Sequence, residues 1–89
     1  MEHSFYVDII SPEKKVFEGE ISSLVVPAEL GYLGVLANHA PLVANLVPGK
    51  ISFRKASGEQ TVIRSQGKGF LEVLKNKVVL LLEKSDRLS

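Results

Sequence analysis

The sequence contains no cysteine, which excludes a disulfide framework and any cysteine-based zinc site. Cohesion must then come from apolar burial, and the 45% of hydrophobic residues is enough to attempt it. At 89 residues the chain makes one small domain, near the lower end of what folds without staples. The same absence fits a reducing compartment. Long apolar runs are missing too. Val78–Leu82, the longest, has five residues, far short of the about 20 that a membrane-crossing helix needs. The opening residues, MEHSFYVDII, begin acidic and lack a basic segment followed by a long apolar one, so no secretory signal is expected. The reading is a soluble domain, or one peripheral to a membrane through a partner.

Net charge is also scarce, at +1. A nucleic-acid binder shows a stronger basic excess interleaved with aromatics, and no nucleic acid is expected as a partner. The small total hides an asymmetry. Residues 1–49 carry two lysines against six acids, and residues 50–89 carry nine Lys/Arg against four acids. This predicts two edges of opposite charge on one domain, a modest orienting field for a protein partner.

What is present reads as strands. FYVDIIS (Phe5–Ser11) is β-branched and partly alternating, and Pro12 closes it. KVFEGEISSLVVP reads as two strands bent around Gly19, and YLGVL and LVANLV as short strands bounded by Gly, Asn or Pro. KISFRKASGEQTVIRS is the clearest hairpin, with Ile51 and Phe53 alternating with polar residues and Ser57-Gly58 as the turn. GFLEVLKNKVVLLLEK reads as a second hairpin about Lys75-Asn76-Lys77, since asparagine tolerates positive φ. Its strand Val78–Leu82 is apolar at every position, as expected for a strand covered on both faces. No segment carries helical periodicity over three turns. The prediction is an all-β domain, a flattened antiparallel β-sandwich or barrel of about ten short strands. It spans residues 1–84, with residues 85–89 as a polar C-terminal tail.

Candidate chemistry is thin. His39 is the obvious catalytic suspect, but there is no cysteine and no G-x-S-x-G elbow to supply a nucleophile for it. His3 lies too near the terminus to complete a metal pair. His39 therefore reads as a hydrogen-bonded loop residue or an interface contact, and no catalytic, metal or cofactor residues are expected. Gly31 and Gly34 precede no helix that could cradle a phosphate, and tight bends are the better reading. KGFLEV echoes the aromatic strands of RNA-binding sheets, yet it has one aromatic and an acid, so Phe70 reads as core. Lys55, near a hairpin tip, raises a lipoyl- or biotinyl-type carrier domain as an alternative, though Ser57-Gly58 rather than the lysine makes the turn. A free-standing ligand-binding sandwich is a third reading. GYLGVLANHAPLVANLVPGKI (Gly31–Ile51) stands out, because it has the glycine, asparagine and proline of an exposed loop and an apolar content that marks an interaction surface.

That stretch closely resembles the signature of the epsilon-subunit family of F-type ATP synthases, G-x-[FLI]-G-[VI]-[LY]-x-x-H-A-P-[LI]. Gly31, Leu33, Gly34, Val35, Leu36, His39, Ala40, Pro41 and Leu42 fit it, and Pro48-Gly49 continues it. The flanks, FYVDIISPEKKVFEGEISSLVVPA and GKGFLEVLKNKVVLLLE, resemble the family's opening strands and later hairpin, so the likeness covers nearly the whole chain. It implies a ten-stranded sandwich in the central stalk of a proton-translocating ATP synthase. There it would link the gamma subunit to the c-subunit ring, rotate with both and perform no covalent chemistry. His39, Ala40, Pro41 and Leu42 match the loop facing gamma. Gly31, Tyr32 and Leu33 match the tip that touches the c ring.

The resemblance further implies membrane association only through partners, at the cytoplasmic face of a bacterial plasma membrane, and no homo-oligomer. Tyr32 stands where many relatives have Glu, so Glu29 is expected to supply the acidic contact. Ala37-Asn38 replaces a proline-containing pair, so the loop is expected to be less rigid. Relatives continue into two C-terminal helices that brake hydrolysis and in some bind ATP. This sequence ends at Ser89, and neither the brake nor an ATP site is expected in it.

Overall fold

The computed structural model describes residues 3–87, which form nine strands and no helix. They are β1 (Phe5–Ile10), β2 (Lys15–Ala28), β3 (Gly31–Leu36), β4 (Leu42–Leu46), β5 (Gly49–Lys55), β6 (Gln60–Ser65), β7 (Gly69–Leu74), β8 (Lys77–Leu82) and β9 (Ser85–Arg87).

The architecture follows from alternation. In β1 every second residue, Phe5, Val7 and Ile9, is buried and the residues between are half-exposed. Ile51 and Phe53 in β5, Leu71 and Val73 in β7, and Val78, Leu80 and Leu82 in β8 repeat the pattern. Because side chains alternate across a strand, these residues face one another between two layers and form a single core. Ser65 is buried among them, with its hydroxyl donating to the Gly67 carbonyl at 3.3 Å.

β2 belongs to both layers. Its first half, from Lys15 to Ile21, pairs antiparallel with β1. Its second half lies between β3 and β5. One layer therefore runs β2-β1-β8-β7-β4 and the other β3-β2-β5-β6-β9. A bridge between Ala28 and Leu46 brings β4 back to β2 and flattens the sandwich into a barrel-like ring.

Several expectations need correction. KVFEGEISSLVVP is one strand, and Gly19 pairs with Val7 inside it; the irregularity falls between Ile21 and Ser23, where the strand passes between layers. Gly34 is no bend, because it lies within β3 opposite Val25. The sandwich is not wholly antiparallel, since β1 pairs parallel to β8. The segment expected as a polar tail contains β9, whose backbone pairs with Ile63–Ser65 of β6. The expected tail extends to residues 88 and 89, which lie outside the described residues. Val78–Leu82 is covered on one face only, and Leu81 stands 48% exposed. The two differently charged halves are interleaved by the strand order. The interleaving is confined to the layer in which β8 and β7 lie between β1 and β4, while β5, β6 and β9 of the second half stay together in the other.

The hairpins are read correctly. In β5–β6 a three-residue loop closes with Lys55 N–H donating to the Glu59 carbonyl at 2.8 Å, and Gly58 takes a φ of 98°. In β7–β8 the pairing of Leu74 with Lys77 leaves a two-residue turn, Lys75 and Asn76, at φ of 51° and 61°. Positive φ at both central positions is the mirror-image turn that matches strand twist.

Candidate partner interface

The residues singled out from the sequence fall in two features, one at each end of β3. The first is the tip of the β2–β3 hairpin. Ala28 pairs with Gly31, so Glu29 and Leu30 form the turn, and Gly31 follows at a φ of 127° that a side chain would resist. Leu30 is fully solvent-exposed at 103%. Among the described residues the Glu29 carboxylate has no ion-pair partner, which leaves it free for an outside cation. Tyr32 is 64% exposed, and its hydroxyl accepts a long 3.4 Å hydrogen bond from the Lys50 backbone N–H. Beneath the tip lies an open, mainly apolar groove of about 480 Å³, lined by Tyr32, Leu33, Leu42, Val43 and Phe70 among others.

The second feature is the five-residue loop Ala37–Pro41 that carries the chain from β3 to β4. His39 is half-buried, and its Nδ1 lies 2.7 Å from the Ala40 carbonyl oxygen. A ring nitrogen meets a carbonyl oxygen at that distance as a donor, so Nδ1–H donates to the Ala40 carbonyl. No group of three or more His, Cys, Asp or Glu side chains able to hold a metal occurs among the described residues. His39, Ala40 and Pro41 line a second depression of about 420 Å³ together with Asn38, Lys75 and Asn76. The looseness expected from Ala37-Asn38 is offset here. Asn38 N–H donates to the Asn76 side-chain oxygen at 2.6 Å, and the Asn76 amide donates back to the Asn38 side chain at 3.0 Å.

Two sets of residues expected to meet different partners thus share a surface. Leu42 and Leu33 line the same groove, while His39–Pro41 border the neighbouring depression. Sequence reasoning missed the outer face of the layer beside them. Pairing registers place Ile10, Leu81, Phe70 and Asn45 in one row across it, and Asp8, Val79, Glu72 and Val43 in the next. Phe70, Leu74 and Leu81 are exposed there and Val43 is 61% exposed, so Phe70 is not core. A signal existed. Phe70 has the same parity as Lys68 and Glu72, and Leu81 as Lys77 and Glu83, which puts each on the polar side of its strand.

Lys55 lies at the end of β5 rather than at the hairpin tip. Its ammonium is 3.5 Å from Glu59 and 5.5 Å from the Phe17 ring. A swinging-arm carrier needs its lysine at the apex, so the carrier alternative is not favoured.

Residues 4–87 match the family described as the β-sandwich domain of the ATP synthase delta/epsilon chain. The chain belongs to this family. Among curated ATP synthase epsilon chains, that of Dichelobacter nodosus is 41% identical over 87 residues, covering 98% of this chain and 60% of the relative. That of Leptospira borgpetersenii is 47% identical over 81 residues, covering 91% and 62%. This delta/epsilon sandwich therefore spans about three-fifths of the length of those relatives. Among solved structures, a chain of the Euglena gracilis mitochondrial ATP synthase (OSCP/F1/c-ring, rotational state 1) superposes with a TM-score of 0.88 at 17% identity, covering 98% of this chain and 55% of that one. A chain of the Tetrahymena thermophila mitochondrial ATP synthase central stalk and c ring gives 0.77, also at 17% identity, covering 96% and 67%. At that identity the likeness establishes the fold, and the delta/epsilon sandwich is the fold these residues build.

Proposed function

We propose that this chain is a non-catalytic rotor subunit of an F-type ATP synthase, joining the gamma subunit to the c-subunit ring so that ion-driven rotation reaches the catalytic head. The supporting observation is the apolar groove that runs between the two features, lined both by Leu33 of β3 and by Leu42, which follows the histidine loop. His39, Ala40, Pro41 and Leu42 are the gamma contact. Glu29, Gly31, Tyr32 and Leu33 are the c-ring contact. The chain then sits at the cytoplasmic face of a bacterial plasma membrane, held there by its partners; no helix of the described residues is long and apolar enough to cross a membrane.

The chemistry asked of such a subunit is mechanical. Exposed aliphatic and aromatic groups, Leu30, Tyr32, Val43 and Phe70, supply area to desolvate against a partner, and aromatic anchors of this kind carry a large share of binding energy. The Glu29 carboxylate at the rim contributes orientation more than affinity, because an exposed ion pair is worth only about 0–1 kcal/mol. The two-layer body behind these groups transmits force because its core is close-packed and of low compressibility.

The test is affinity capture from detergent-solubilised membranes of the source organism with the tagged chain, beside a His39→Ala, Pro41→Gly variant. Recovery of gamma and c subunits, weakened in the variant, is expected. Capture of a 2-oxo-acid dehydrogenase or carboxylase with a mass adduct on Lys55, and of no synthase subunit, would refute the reading.

A further inference from the structure

The turn between β7 and β8 contains an unexplained choice of residue. Asn76 holds the second position of a two-residue turn at a φ of 61°, behind Lys75 at 51°. Glycine is favoured there, since it meets positive φ without steric cost. The backbone alone would be served at least as well by glycine as by asparagine.

The Asn76 side chain has work that glycine could not do. Its oxygen accepts from Asn38 N–H at 2.6 Å, and its amide donates to the Asn38 side-chain oxygen at 3.0 Å, two bonds in parallel between residues 38 positions apart. Its own carbonyl accepts from Tyr6 N–H at 3.0 Å, which ties the turn to β1. Asn38 itself sits at a φ of 64°, a left-handed conformation that asparagine tolerates but that is uncommon for residues with a side chain. Within the loop, Pro41 fixes its own φ and restricts Ala40. Ala37 and Leu42 pack against the core at either end. The middle of the loop depends on the pair Asn38–Asn76.

We infer that Asn76 is a positioning residue for partner docking: its side-chain amide holds the Ala37–Pro41 loop in one conformation, so that His39 and Pro41 reach the partner already ordered. The inference rests on the proposed reading that this loop faces the gamma subunit. Ordering a loop on binding lowers affinity, and ordering it beforehand removes that cost.

Asn76→Gly separates this role from a structural one, because it keeps the turn and deletes only the amide. The isolated chain is compared with wild type in thermal unfolding, in hydrogen exchange of the Asn38, His39 and Ala40 amides, and in calorimetric affinity for the source organism's gamma subunit. The expected result is an unchanged or raised unfolding midpoint, exchange at Asn38 about tenfold faster with the β7 and β8 amides unaffected, and affinity about three- to tenfold weaker.

Unchanged exchange at Asn38 in Asn76→Gly overturns the inference. Loosening with undiminished affinity overturns its docking half, and the His39→Ala, Pro41→Gly chain then tells why. If that chain also binds gamma normally, the reading of the loop as the gamma contact has failed. If it binds weakly, the loop is the contact and the amide pair is dispensable to it.

Discussion

Gly34 and Gly69 both lie in strands, and the same substitution should move stability in opposite directions at the two sites. A Cβ built on Gly34 meets nothing within 4 Å. Alanine there narrows the unfolded ensemble without strain in the folded one, a gain of about 0.5–1 kcal/mol. A Cβ on Gly69 lies 2.8 Å from the Leu81 carbonyl oxygen, 3.2 Å from Leu82 Cδ2 and 3.4 Å from Leu46 Cβ. The first obstacle is backbone of the neighbouring strand and cannot rotate away. Gly69 also pairs with Leu82 on one side and Leu46 on the other, so relief requires β7 to part from β8 or tilt against β4. Overpacking of this kind costs about 1–3 kcal/mol, which outweighs the ensemble gain and leaves a net loss of up to about 2.5 kcal/mol.

Urea unfolding followed by circular dichroism reads both changes as shifts of the midpoint with an unchanged slope. In a domain of this size each kcal/mol moves the thermal midpoint by about 4–8 °C. The two alanine variants should thus straddle wild type by several degrees. Shifts in the same direction would refute the reasoning, because they would mean that local strand propensity rather than the space beside each glycine decides the outcome.

Leu71→Ala removes a fully buried side chain of β7 from the single core and should cost about 2–5 kcal/mol, read as a lower urea midpoint. Leu30→Ser changes a side chain that touches nothing in the free chain; stability should stay within about 0.5 kcal/mol, while capture of synthase subunits should fall. A Leu30→Ser chain that captures them as well as wild type would remove the hairpin tip from the interface.

The legible part of the fold was the part written locally. Alternation in Phe5–Ile10 and Ile51–Phe53 gives the buried face directly, and Ser57-Gly58 and Lys75-Asn76 give the turns because positive φ restricts which residues fit. The histidine loop was legible through its pattern of residues. What could not be read was written in pairings between distant segments. Nothing in FYVDII says that its second neighbour is Lys77–Leu82 in parallel, or that one strand from Lys15 to Ala28 serves two layers. β9 is defined by its backbone pairing with β6, and Ser-Asp-Arg has no apolar residue to betray a strand. Phe70 and Leu81 belong to a different class, since parity with Glu72 and Lys77 marked them as outward-facing and apolar character overrode it. Asn38 and Asn76 each read as turn residues, and only folding brings their amides together.

β1 leaves the ribosome first and must wait for its second neighbour. β2 follows at once and can pair with it as a hairpin, but β8 is made on the order of ten seconds later at ordinary rates of synthesis. During that interval one edge of β1 has no strand to satisfy its amides, and its own layer lacks the strand that joins it to β7. Completion of the nascent domain is therefore tied to the arrival of Lys77–Leu82 rather than spread along the chain. A ribosome stalled before that segment should display a protease-sensitive, chaperone-binding intermediate, and one stalled after it a resistant domain.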